Sequence, residues 1–293
     1  PIGEHCLRPH DCPFRPYCWK GLPEFSIYSV PRLPWEKRNA LKLMGILDAA
    51  AIPDDFELEP EQRRCVEAAR SGRALINAPA IKAFLDGLVY PLYLLDFETM
   101  MSAIPLYEGT SPYQQVPFQV SLHVQAAPGL MPRHFEHLAD PASDPRPGVA
   151  DFLLSRIGPS GSLVAYNSPF EEARLRETAL ALGGGAAALD GFADRLKDLA
   201  APFRDRSYAH PDFHGSYSLK KVLPVIAPEL SYDGLPVHGG AQAQQVYLDM
   251  VAGRMGPAET ARAREDLKAY CGRDTLAMVR ILEELYGATG RRK

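Results

Sequence analysis

The sequence predicts an α/β chain, in which a mixed, partly antiparallel sheet is flanked by helices and preceded by a small cysteine-rich and helical segment. Three observations predict it. The apolar run Leu92-Tyr93-Leu94-Leu95, opened by Pro91, suits a strand buried on both faces. Phe118-Gln119-Val120-Ser121-Leu122-His123-Val124 alternates as a second strand does. A helical apolar face built from Leu267, Tyr270, Cys271, Leu276, Met278, Val279, Leu282 and Leu285 closes the chain.

In chain order, residues 1–20 carry Cys6, Cys12 and Cys18, evenly spaced among prolines and aromatics. Between Leu33 and Leu88 the pattern is helical: Trp35 to Met44 stopping near Gly45, Glu59 to Arg70 stopping at Gly72, and Ala80 to Leu88. The central strand then ends in Asp96 and Glu98. A loop over 100–116 holds Tyr107, Tyr113, Gln114 and Gln115. A third strand spans Arg133 to Leu138, with Pro128-Gly129 as the turn before it. A helix from Gly148 to Ile157 leads to a fourth strand, Ser162 to Tyr166, and Ser168-Pro169 reads as the cap and first position of the next helix. Phe192 to Leu199 reads as helical, ending in Asp198. The loop around His210 and His214 opens a basic helix at Ser218, and the final helix runs from Ala258 to Tyr286. Three parts follow: a cysteine cluster over 1–20, a helical connector over 21–89 and a larger domain over 90–293.

Composition excludes little. Hydrophobic residues make up 46% and charged residues 23%, ordinary proportions for a globular protein. No apolar run approaches the roughly 18 residues that cross a bilayer, so a cytoplasmic, membrane-free location is expected. A net charge of −4 gives no global basic field, although Lys220-Lys221 can act locally. Three of five cysteines near a start at Pro1 suggest the C-terminal part of something longer, and a disulfide framework does not suit that compartment.

Chemistry concentrates at four places. Side chains alternate along a strand, so Asp96 and Glu98 share one side; two adjacent buried carboxylates need a cation or a proton. Glu171 falls in the first turn of a helix after Asn167, where the helix dipole favours an acid. Tyr270 and Asp274 are four apart on one helix face, and Cys271 between them reads as packing. The thiols of Cys6, Cys12 and Cys18 suit an iron-sulfur cluster or zinc, with His5 or His10 able to complete a zinc site. His210 and His214 read as loop residues.

Asp96-Phe97-Glu98, Asn167 with Phe170 and Glu171, and Tyr270 with Asp274 together resemble the DEDD superfamily of 3′-5′ exonucleases. Its DnaQ-like domains have an RNase H-like fold. More closely, Tyr113 to Gln119, Gly215 to Pro224 and Tyr270 to Thr275 resemble a bacterial family of unknown function that joins a RecB-like iron-sulfur module to a DnaQ-like domain. The resemblance implies a hydrolase cutting phosphodiester bonds of DNA or RNA. Two magnesium or manganese ions would sit on Asp96, Glu98, Glu171 and Asp274, with Asp198 as alternative ligand to Glu171 and Tyr270 orienting water. It further implies single-stranded DNA or RNA as partner, with Asn167, Lys220, Lys221 and Tyr113 as contacts. Cys6, Cys12 and Cys18 would belong to a 4Fe-4S cluster or zinc site completed by the upstream RecB-like module in cis. The alternative is a non-catalytic nucleic-acid-binding platform on a degenerate nuclease fold with an iron-sulfur clamp, favoured by glutamate standing at position 171 where the motif has aspartate.

Overall fold

The computed structural model describes residues 2–183 and 187–290. In chain order it contains α1 (Arg15–Cys18), α2 (Trp35–Leu43), α3 (Pro60–Ser71), β1 (Leu75–Ile76), α4 (Ala78–Asp86), β2 (Leu92–Met100), β3 (Val116–Gln125), β4 (Arg133–Leu138) and α5 (Pro145–Arg156). There follow β5 (Ser162–Ala165), α6 (Pro169–Leu182), α7 (Ala187–Ala193), β6 (Leu196–Asp198), α8 (Ala201–Arg204), β7 (Tyr208–Ala209), α9 (Leu219–Ile226), α10 (Gly240–Val251) and α11 (Pro257–Ala288). Among the described residues no helix is long and apolar enough to cross a membrane.

The chain divides into two compact units. One comprises Pro1–Ile81 with Pro202–Val225, the other Lys82–Ala201 with Ile226–Lys293. The first has its own core of Ile27, Val30, Leu41, Ile52 and Val66. Its helix α3 starts where the Glu59 N–H donates to Gln62 Oε1 at 3.0 Å. It stops at Gly72, whose φ of 63° is the left-handed conformation that ends helices. β1 and β7 pair antiparallel within this unit. Its three N-terminal thiols are free: Cys6 is buried, Cys12 half-buried and Cys18 exposed.

The second unit is built on a five-stranded sheet of order β4-β3-β2-β5-β6. β3 runs antiparallel to both neighbours, and β2, β5 and β6 are mutually parallel. The apolar run of β2 therefore occupies the centre, as its sequence requires. Tyr93, Leu95 and Phe97 point into a core with Val149, Leu153, Leu163, Leu175 and Phe192. The alternate positions Asp96 and Glu98 are thereby left on the opposite face. A second core on that side joins Met100, Phe118, Tyr247, Leu267 and Tyr270, with the Phe118 and Tyr247 rings stacked at 4.0 Å between centroids.

One expected helix is corrected. The helix read over Phe192 to Leu199 is α7, which ends at Ala193, and Leu196–Asp198 is instead the edge strand β6, parallel to β5. Three residues are too few for a two-residue period to register in sequence. Asp198 consequently ends a strand: its Oδ1 accepts from the Asn167 N–H at 2.8 Å and the Ala200 N–H at 3.0 Å.

Helix α5 begins at a cap that predicts a measurable cost. Asp144 accepts from the Arg146 N–H at 3.0 Å and also holds the Arg146 guanidinium, which in turn donates to the Glu108 carbonyl at 2.8 Å. Asp144→Ala removes the cap and unpairs a buried guanidinium. A loss of about 1–2 kcal/mol in denaturant-monitored stability is expected.

Candidate metal centre

β2 delivers Asp96 and Glu98 to the face covered by α11, and α11 meets them with Tyr270, Cys271 and Asp274 on adjoining positions of one helical turn. Cys271 Sγ lies 3.8 Å from Asp96 Oδ2 and 3.9 Å from the Asp96 carbonyl. One ligand atom each from Asp96, Glu98 and Cys271 fall within 4.8 Å of one another. Cys271 is fully buried, Glu98 is 6% exposed and Asp274 is 8% exposed. Gly240, opening α10, comes so close that an added Cβ would stand 3.4 Å from Glu98 Oε2.

The electrostatics follow from crowding acids in a dry place. Burial holds Asp96 well above the usual carboxylate range, and Asp274, Glu98 and Glu171 add to it. Burial likewise pushes the Cys271 thiol up, reinforced by Asp96, Glu98 and Asp274. Burial and mutual repulsion disfavour the charged forms of these groups; a bound cation would replace their protons and relieve the repulsion.

The other expected site residues separate into those at this place and those elsewhere. Asp274 accepts a hydrogen bond from the Tyr232 hydroxyl. Tyr270 is buried and its phenol is held far above its ordinary value, by burial first and then by Asp274, Glu98 and Asp96. Glu171 is in the first turn of α6, 3% exposed, with Oε2 unpartnered. Burial pushes its carboxyl up to about 8, with Asp198 adding and Arg174 opposing. Asn167 is exposed, with φ of 70°. Tyr113 is exposed on its loop. Lys220 and Lys221 are exposed on α9 in the first unit, and His5 and His10 are exposed beside the N-terminal thiols.

This geometry corrects the two-metal expectation. A pair of magnesium or manganese ions demands hard oxygen ligands throughout, whereas the tight donor set here is two carboxylates and a thiol. Glu171 and Asp274 do not belong to that set. The exonuclease assignment, its two hard cations and the catalytic roles of Asp96, Glu98, Glu171, Tyr270 and Asp274 are therefore set aside. The donors present fit one cation of the zinc or iron type. At metal-ligand distances of about 2.0–2.3 Å, the edge of a tetrahedron is about 3.3–3.8 Å, which the Cys271-to-Asp96 separation meets. Cys271 was legible only as packing because its partner is 175 residues away. Its three-residue spacing to Asp274 was the one available signal.

Sequence reading also missed a polar chain beside Asp96, running from the buried Ser121, Thr275 and His123 out to the exposed His134. Ser121, cross-strand from Asp96, has its hydroxyl 2.6 Å from the Thr275 hydroxyl and 3.0 Å from His134 Nε2. His123 Nδ1 is 2.9 Å from the Thr275 hydroxyl, and the His123 and His134 rings stack at 4.5 Å. Burial first, then His134, pushes His123 down to about 4. The folded value lies below the unfolded one, so the neutral ring's contribution is complete above about pH 6.5 and is lost as pH falls toward 4. Over that window wild type should lose about 2–3 kcal/mol relative to His123→Gln. Denaturant titrations of both proteins between pH 4 and 7.5 check it.

Residues 93–218 match the family described as Domain of unknown function (DUF2779). An uncharacterized protein of Mycoplasma pneumoniae, the MG366 homolog, is 29% identical over 207 residues, covering 64% of this chain and 31% of that protein. The uncharacterized protein MG366 of Mycoplasma genitalium is 28% identical over 205 residues, with the same coverage. The uncharacterized protein UU173 of Ureaplasma parvum is 26% identical over 207 residues, covering 64% and 30%. The chain thus spans about a third of the length of these curated relatives. No solved structure matches.

Proposed function

We propose that the DUF2779 stretch of this chain belongs to a nucleic-acid-binding platform without hydrolytic activity, braced at its centre by one zinc- or iron-type cation between Asp96, Glu98 and Cys271. The observation that carries this reading is the buried thiol of Cys271 set against the half-buried Asp96 carboxylate and the buried Glu98 carboxylate. Bound there, the cation supplies cross-linking: it ties the central strand β2 to the closing helix α11 in the way structural zinc ties small domains. Tyr232 and Asp274 then act from beside the site to hold α11 in register, and Glu171 remains a protonated carboxyl at neutral pH.

The nucleic-acid part rests on the sheet and on exposed side chains. The order β4-β3-β2-β5-β6 with β3 reversed agrees with the RNase H-like pattern that the motifs resemble. On the second unit the exposed Tyr113 suits stacking on a base, and on the first unit the exposed Lys220 and Lys221 suit phosphate contacts. Cys6, Cys12 and Cys18 join a ligand from an upstream RecB-like module as an iron-sulfur clamp.

The test is fluorescence anisotropy with 5′-labelled single-stranded DNA and RNA, followed by gels of the same mixtures after incubation with magnesium or manganese. Binding that weakens with salt, and a strand that keeps its length, are expected. Lys220→Glu with Lys221→Glu is expected to weaken binding about tenfold. Absence of binding at low salt, or shortening of the strand that Asp96→Asn abolishes, would overturn the reading.

A further inference from the structure

A cleft of about 520 Å³ lies in the second unit, lined by Leu85, Leu88, Tyr90, Gln125, Met131 and Leu282 among others. Its volume falls within the range of about 300–1,000 Å³ typical of small-ligand sites. None of the expected nucleic-acid or metal residues lines it. We propose that this cleft binds a neutral, mainly apolar small molecule bearing one hydrogen-bonding oxygen or nitrogen.

The polarity of the lining selects that class. Leu85, Leu88, Leu130, Met131, Val279 and Leu282 supply apolar walls from α4 and its exit, the β3-β4 turn and α11. Polar atoms converge on one place: the Tyr90 hydroxyl is 3.2 Å from the Tyr286 hydroxyl and 3.4 Å from Gln125 Oε1. Gln125 is itself held, because its Nε2 donates to the Leu130 carbonyl at 2.9 Å. If Tyr286 donates to the Tyr90 hydroxyl, the Tyr90 O–H has only the long contact to Gln125; if Tyr90 donates to Tyr286, the Tyr286 O–H is left for a ligand. A ligand oxygen or nitrogen at 2.8 Å is a better partner than that contact.

Charge excludes the obvious rival class. The charged residues of the lining are Asp86 and Glu283, both acidic, and no lysine, arginine or histidine lines the cleft. Asp86 accepts from Lys82 and Glu283 from Arg280, so the rim is tied back rather than turned inward. Burial and the Tyr286 hydroxyl hold the Tyr90 phenol far above its ordinary value. Phosphates and carboxylates would meet no positive group here. This separates the cleft from a second nucleic-acid groove, and the inference does not rest on the function proposed above.

The test titrates the full chain with N-phenyl-1-naphthylamine, a neutral fused aromatic with one N–H, following its fluorescence. Enhancement saturating at one equivalent is expected. Tyr90→Phe combined with Tyr286→Phe keeps the apolar shape and removes the hydroxyls; affinity is expected to fall about 3- to 10-fold. Val279→Trp fills the cleft and is expected to abolish saturation, circular dichroism confirming that the protein is folded. Should that variant fail to fold, the double tyrosine variant decides. The anionic relative 8-anilinonaphthalene-1-sulfonate is expected to bind at least about tenfold more weakly. No saturable binding to wild type, wild-type affinity in the folded variants, or tighter binding of the anionic dye would each overturn the proposal.

Discussion

In metal-replete buffer, Cys271→Ala is expected to lose its bound cation and about 3–4 kcal/mol of stability, whereas after chelation the same substitution should cost only about 1 kcal/mol. The first figure is the linkage stabilisation of a ligand present at a few hundred to a thousand times its dissociation constant. The second is the loss of a small buried group that leaves a minor void. The contrast arises because Cys271 Sγ stands 3.8 Å from Asp96 Oδ2 in a place already crowded with acids. Asp96→Asn sharpens the prediction by reversing sign. Without metal it removes a buried acid that Asp274, Glu98 and Glu171 repel, and stability should rise at pH 8. With metal it deletes a ligand, and stability should fall. Thermal unfolding of each variant with and without chelator measures all four quantities.

Gly161→Ala is expected to be the most damaging single substitution outside the centre, costing about 3–5 kcal/mol and roughly 10 °C in melting temperature. Gly161 has φ of +95°, where a side chain is strained, and an added Cβ would meet the Pro91 carbonyl oxygen at 2.1 Å. That oxygen belongs to the residue that opens the central strand. Immediately afterward Leu92 pairs with Ser162, and the Ser162 N–H donates to the Val89 carbonyl at 2.7 Å. Relief of the clash must part β2 from β5, which displaces the strand carrying Asp96 and Glu98. Gly253 provides the comparison. Its φ of +65° is also left-handed, but nothing lies within 4 Å of an added Cβ. Gly253→Ala should therefore cost only about 1 kcal/mol. Equilibrium unfolding of the two variants separates close approach from backbone strain.

What the sequence disclosed depended on how local the signal was. The central strand was legible because four apolar residues precede the acids, and a strand buried on both faces needs that continuity. The last helix was legible because its apolar period persists over about five turns from Leu267 to Leu285, and the start of α6 because Pro169 marks it. β6 was not, since three residues carry no period and Leu196 is read only through its pairing with Leu163. Alternation put Asp96 and Glu98 on one side of β2 and the four-residue spacing put Tyr270 and Asp274 on one face of α11, but their meeting was an expectation from the resemblance to the DEDD superfamily. The chemistry of that meeting did not. A cysteine on an apolar helix face reads as packing, and only the crossing of β2 by α11 turns its sulfur toward the carboxylates. The Ser121, His123, His134 and Thr275 chain escaped for the same reason, its members coming from two strands and a distant helix.

The N-terminal thiols show the complementary case. Cys6, Cys12 and Cys18 have a conspicuous spacing, yet they are free and unequally buried, and the tight donor set found among the described residues lies elsewhere.

X-ray absorption at the metal edge, on protein whose Cys6, Cys12 and Cys18 are replaced by serine, tests the assignment most directly. Zinc or iron is expected at about one equivalent per chain, with one sulfur scatterer near 2.3 Å and oxygens at about 2.0–2.2 Å, all lost in Cys271→Ala. Magnesium or manganese at about two equivalents in an all-oxygen shell that Cys271→Ala leaves intact would contradict it.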